Sequence, residues 1–157
     1  SKSLYLAVEE PDNLAARGAM LVASCLGGIS FIKGLGIVHA IAHMVGAEYD
    51  THHGLTNAII LPAVLRFNLP GMDEKVKRMN EAMQFEGNSA ESFISNIEKL
   101  LDRINIPKGP AEIGVPADCA ERIAKKSMVD TAFGTNPRNA SYDEMLELVR
   151  TSITQAR

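Results

Sequence analysis

The chain has 157 residues, of which 46% are hydrophobic and 22% charged, with a formal net charge of -3. That length and balance fit one globular domain with a sizeable core and exclude a disordered tail or a collagen-like fibre. The 16 basic residues form no stripe and there is no Trp, so no nucleic-acid partner is expected.

The hydrophobic pattern reads as helix almost throughout. Asn13 can cap a helix from Leu14 to Leu26, and Gly27-Gly28 is expected to end it. A second apolar helix runs from Ile37 to Ala47, opened by Gly34-Leu35-Gly36 and closed near Gly46. A third spans Leu55 to Phe67, and Pro62 inside it is expected to kink or shorten it. Asp73 to Phe85 carries Val76, Met79 and Met83 on one face. Asn88 to Ile104 repeats Phe93, Ile97, Leu100, Leu101 and Ile104 at helical spacing, with Asn88 and Glu91 as a capping box. Pro107 to Pro116 reads as a loop, and Pro116 as the start of a helix reaching about Val129. Ser141 and Glu144 form a capping box for a last helix that buries Met145, Leu146, Val149 and Ile153. The expected fold is an all-α bundle of about seven helices, with no strand and no linker dividing residues 1–157.

Cys25 and Cys119 are far apart and form no CxxC motif, so both are expected to be reduced, buried and cytoplasmic. Apolar runs are broken before about 18 residues, so no membrane span is expected. Ser1-Lys2-Ser3 lacks a signal-peptide layout. It also lacks an initiator Met, which points to a piece of a longer polypeptide.

All four histidines lie between positions 39 and 53. His39 and His43 are four apart and share a helix face, while His52 and His53 fall in the loop before the next helix. Neutral imidazole is a good ligand for Zn, Fe, Cu or Ni. Asp50 and Glu48 are nearby carboxylates. The pattern is not HExxH, because no Glu follows His39. Spacing alone leaves two readings open. In one, a helix His and a loop His meet at a metal. In the other, His39 and His43 are core histidines bonded to carbonyls, and His52 and His53 face solvent. Gly34, Gly36, Gly46 and Gly54 bring backbone close to either a ligand or another helix.

The run from Lys33 through Gly34-Leu-Gly-Ile-Val-His39-Ala-Ile-Ala-His43 to Asp50-Thr-His-His53-Gly54-Leu-Thr-Asn57 resembles the iron-containing (group III) alcohol dehydrogenase family. Leu61-Pro62, Arg66-Phe67-Asn68, Ile106-Pro107, Ala111 to Pro116 and Thr135-Asn136-Pro137-Arg138 extend the resemblance over essentially the whole chain. The family reduces aldehydes or oxidises alcohols with NAD or NADP. Its members pair an N-terminal dinucleotide domain with an all-helical C-terminal domain, and a divalent ion, commonly iron and sometimes zinc, lies between them. The ion is held by one Asp and three His.

The resemblance implies that this chain is the C-terminal domain alone. The first Asp and His would come from upstream, and the other two ligands would be His39 and His53, fourteen residues apart. His43 would face the nicotinamide and carry the alcohol proton. Position 52 is His where many members have Pro, which makes His52 an alternative ligand to His53. Phe31, beside Ser30, is the nearest equivalent of an aromatic that packs by the cofactor. No Gly-rich phosphate loop follows a strand, so the dinucleotide domain is expected to be missing and the isolated chain inactive.

Two further readings stand beside this one. A maleylacetate-type reductase of the same superfamily would work without metal. A freestanding helical module would bind a metal or a partner without catalysis. A homo-oligomer is also compatible, since a severed face would expose apolar surface.

Overall fold

The computed structural model describes residues 2–154. Ser1, which opens the expected non-signal start, lies outside them. Among the described residues the fold is all α, as the pattern predicts. Its helices are α1 (Lys2–Glu9), α2 (Leu14–Ser30), α3 (Ile37–Tyr49), α4 (His53–Asn68), α5 (Asp73–Met83), α6 (Ala90–Arg103), α7 (Ala120–Ser127) and α8 (Tyr142–Thr154). The helix beyond the expected seven is α1.

Two cores share α4. Ile37, Ile41 and Val45 of α3 pack with Ile60 and Val64 of α4, Ile123 of α7, and Met145 and Val149 of α8. On the other side, Leu69 after α4 packs with Val76 of α5 and Phe93, Ile94, Ile97 and Leu101 of α6. The chain from Asp73 onwards thus supplies most of the buried residues of both cores. Met79 and Met83 lie partly buried against the second core, as their spacing implies.

Several boundaries differ from the expected ones, each for a local reason. Helix α2 starts at the Asn13 cap, whose side chain accepts the Ala16 N–H at 3.0 Å. It runs straight through Gly27-Gly28, because neither glycine adopts a left-handed φ and apolar residues continue on both sides. A glycine weakens a helix by about 1 kcal/mol but stops one only when the chain reverses hand. The reversal comes at Gly34, with φ of 93°. Helix α3 likewise passes Gly46 and ends at Asp50, which is left-handed at φ 51°. Pro62 does not shorten α4, a helix of 16 residues that runs through it to Asn68.

His53 belongs to the first turn of α4 and not to a loop, because His52 serves as the cap: its Nδ1 accepts the Leu55 N–H at 3.2 Å. Helix α6 is capped by Ser89 and Ser92, not by Asn88 and Glu91. Each serine oxygen accepts the other residue's backbone N–H at 3.1 Å. Pro116 is extended, so a 3-10 turn over Ala117–Cys119 precedes α7, which ends at Ser127. The Ser141–Glu144 box forms as expected.

Two expectations about α2 are corrected. Cys25 is exposed, whereas Cys119 is buried. The segment Leu14–Lys33 is long and apolar enough to cross a membrane by length and composition, since Arg17 is the single charge before Lys33. It is scarcely covered: Leu21 is 74% exposed and Leu26 61%. Helix α1 packs along it and leaves the rest of its apolar surface open.

Candidate metal centre

The site forms where the start of α3 meets the start of α4. His39 and His43 lie on one face of α3, and His53 opens α4. Their three rings form a near-equilateral group. Ring centres are 5.3 Å apart for His39 and His53, 5.4 Å for His43 and His53, and 5.8 Å for His39 and His43. Phe31 closes the group with an edge contact to His39 at 5.8 Å. The four residues singled out by sequence therefore come together.

His52 does not join them. Its ring is spent on capping α4, and its neighbour His53 takes the place in the cluster. The nearby carboxylates do not join either. Glu48 is engaged by Arg122 at 2.7 Å and Lys126 at 2.6 Å, which hold its carboxyl below the usual range. Asp50 is the exposed C-cap of α3. Among the described residues no group of three or more His, Cys, Asp and Glu is arranged to hold a metal ion.

The alternative reading holds in part: His52 and His53 are exposed and His39 bonds the Leu35 backbone, but His39 and His43 are half-buried at the surface of the bundle and not in its core, and His43 meets Asp130 in place of a carbonyl. Burial is the main cause that pushes His39 below the ordinary imidazole value, with His53 and His43 adding repulsion. A bond to the Leu35 backbone works the other way. His39 is thus kept as a neutral imidazole, the form that can donate a lone pair.

Sequence reasoning missed one neighbour of the cluster, Asp130, and left a second, Asn57, as a residue that caps a helix or lines the cleft. Asp130, in the turn after α7, meets His43 Nδ1 at 3.1 Å through Oδ2. No motif marked it, because its partner is distant in sequence. Asn57 lies one turn after His53 and its Nδ2 is 2.9 Å from His53 Nε2. The Asn57 Oδ1 atom is buried without a partner. Its i, i+4 spacing from His53 was the available signal.

A loop from far downstream sets the entry to α3. Thr135 Oγ1 accepts the N–H groups of Leu35 and Gly36 at 3.1 and 3.3 Å, and Asn136 Oδ1 accepts that of Ile37 at 3.1 Å. A Cβ on Gly34 would run into the Thr135 side chain, and one on Gly36 would lie 2.9 Å from Asn136 Oδ1. These glycines make room for packing, not for a ligand. Arg138 donates to the Phe67 carbonyl at 3.0 Å, stacks on the Phe67 ring and pairs with Glu144, so it is a turn residue.

The chain as a whole has counterparts among known proteins. A model of the Fe-containing alcohol dehydrogenase family, C-terminal part, matches residues 1–153. The chain belongs to that family. It is 34% identical to the probable alcohol dehydrogenase EutG of Escherichia coli (strain K12) over 94% of this chain and 38% of that protein. It is 32% identical to the NAD-dependent methanol dehydrogenase of Bacillus methanolicus over 94% of this chain and 40% of that protein. The crystal structure of a 1,3-propanediol oxidoreductase superposes with a TM-score of 0.91 at 35% identity, covering 97% of this chain and 42% of that one. The chain thus spans about two fifths of the length of the iron-type alcohol dehydrogenases it matches.

The donor chemistry of the cluster fits a divalent ion in part. With metal–nitrogen bonds near 2.0–2.1 Å, two imidazoles on one ion put their ring centres about 5 Å apart. The His39–His53 separation of 5.3 Å agrees. The set is half of what such an ion needs, since structural and catalytic sites take about three or four protein ligands.

Proposed function

We propose that this chain is the helical half of a two-domain, metal-dependent alcohol dehydrogenase or aldehyde reductase that uses NAD or NADP. The observation that carries the reading is the convergence of His39, His43, His53 and Phe31 on one patch, in a chain of this family. His39 and His53 would hold the ion, iron or else zinc, together with two ligands from the rest of the polypeptide. When bound, the ion supplies Lewis-acid polarisation of an alcohol or carbonyl oxygen. Phe31 would shield the site from water and pack by the cofactor. His43 would take the proton of a small alcohol, or return it to the reduced aldehyde.

The open apolar face of α2 supports the same reading. A helix with Leu14 81% exposed and Val22 62% exposed is built to be covered. We infer that the missing dinucleotide-bearing part covers it in a cytoplasmic enzyme, with neither membrane nor nucleic acid as partner. The chain alone, with half the ligands and no phosphate loop, would turn over no alcohol.

The test is direct. The 157-residue chain is titrated with Co²⁺, and ligand-field absorption is recorded for wild type and for His39→Ala and His53→Ala. The reading predicts weak binding that each substitution reduces by about tenfold or more, with no NAD(P)H-dependent aldehyde reduction. Binding indifferent to both substitutions, or turnover by the isolated chain, would overturn it.

A further inference from the structure

Asp130 divides its carboxylate between two tasks. Oδ1 accepts the Ala132 N–H at 2.8 Å, and Oδ2 faces His43 Nδ1 at 3.1 Å. The side chain is 12% exposed, against 34% for His43. An ionised carboxylate only accepts hydrogen bonds, so Nδ1 must be the nitrogen of His43 that carries the proton. The lone pair of the neutral ring then lies on Nε2. The other two cluster histidines are held differently, His39 by the Leu35 backbone and His53 by the Asn57 amide.

The turn that carries Asp130 is fixed to the same helix as His43. The Ala132 carbonyl accepts the Gly36 N–H at 3.1 Å and the Thr135 hydroxyl at 2.9 Å. Thr135 in turn binds Leu35 and Gly36. One short segment therefore grips the entry to α3 with its backbone and His43 with its acid. Asp130 and the imidazole are held in register across 87 residues of sequence.

We propose that Asp130 is a positioning residue for His43. It locks the Nδ1–H tautomer and leaves Nε2 as a bare lone pair within the imidazole cluster, so that the ring is set to accept a proton before substrate arrives. The catalytic consequence rests on the role of His43 given above, whereas the tautomer does not.

The experiment reads the tautomer without metal or turnover. The ¹⁵N-labelled chain is studied by long-range ¹H–¹⁵N correlation at a pH of about 8.5, where ordinary imidazoles are neutral. The wild type is expected to show His43 protonated at Nδ1 with Nε2 bare. Asp130→Asn keeps one acceptor oxygen, which the Ala132 N–H claims, and turns its amide Nδ2 towards His43 Nδ1, so His43 shifts to Nε2–H in a folded chain; an unchanged pattern there would also overturn the proposal. Asp130→Leu removes the acceptor, and His43 moves predominantly to Nε2–H, while His39 and His53 keep their patterns. Wild-type His43 protonated at Nε2, or an unchanged His43 in a folded Asp130→Leu chain, would overturn the proposal. If Asp130→Leu fails to fold, the wild-type and Asp130→Asn spectra decide it. The Co²⁺ titration decides the enzyme reading separately, since cobalt binding indifferent to His39 and His53 leaves the tautomer result standing.

Discussion

Asn136 Oδ1 accepts the backbone N–H of Ile37, across 99 residues of chain. The same oxygen receives Asn68 Nδ2 at 3.0 Å, and Asn136 Nδ2 donates back to Asn68 Oδ1 at 2.8 Å and to the Arg138 carbonyl at 2.6 Å. Helix α3 has no cap from its own sequence, since Gly36 offers no side chain. One amide thus ties together α3, the end of α4 and the loop before α8. Removing it costs a cap and strands a half-buried partner amide, each worth about 1 kcal/mol or more. Asn136→Ala should lower unfolding stability in urea by about 2–3 kcal/mol. A loss below about 0.5 kcal/mol would show that α3 does not depend on this clamp.

Much of this was legible in the sequence. Helical periodicity located α3 to α8, because each buries an apolar face at the regular spacing. The clustered histidines marked the candidate site, since α3 and the first turn of α4 bring three of their rings to one patch. What periodicity does not encode is a partner across the fold. Asp130 and Asn136 reach α3 through loops, so the tautomer of His43 and the cap of Ile37 had no local signature. The boundaries failed where stop signals were read from residue type alone. Gly27-Gly28 and Gly46 are helical, whereas Gly34 and Asp50, with positive φ, are the true stops. The exposed face of α2 was hidden for another reason: an apolar stripe looks the same whether its cover lies inside the chain or outside it.

His52 and His53 are adjacent, yet they should behave differently. His52→Ala removes the cap of α4 and should cost about 1 kcal/mol of stability. Its effect on Co²⁺ affinity should stay within about twofold. His53→Ala should barely change stability, because the residue is exposed at the first turn, but should weaken Co²⁺ binding by about tenfold or more. Reversed effects on metal affinity would assign the ligand to His52.

The lowered affinity of His39 for protons makes stability depend on pH. Burial first, and then the neighbouring imidazoles, keep the folded-state value below the ordinary 6.5. The unfolded chain therefore binds more protons just below that value, and stability rises with pH across the window. The contribution is present in full above about 6.5 and is lost as pH falls towards the folded value. Urea midpoints measured at about pH 7.5 and 5.5 should fall less for His39→Gln than for wild type. An equal fall in both would place the acid sensitivity elsewhere.

Asn57 holds the nitrogen of His53 that faces it. An amide nitrogen can only donate, so Asn57 Nδ2 occupies the Nε2 lone pair at 2.9 Å. A metal ion that uses this lone pair must first displace the amide. The hydrogen bond is worth about 0.5–1.5 kcal/mol, which sets the size of the competition. Asn57→Ala should therefore tighten Co²⁺ binding by about twofold to tenfold. It also removes the buried Oδ1 that lacks a partner, so stability should not fall for want of that atom. The opposite result, weaker binding with an unchanged fold, would mean that Asn57 orients the His53 ring for the ion and does not compete with it. Titrating both proteins with Co²⁺ in parallel separates the two outcomes by the sign of the change.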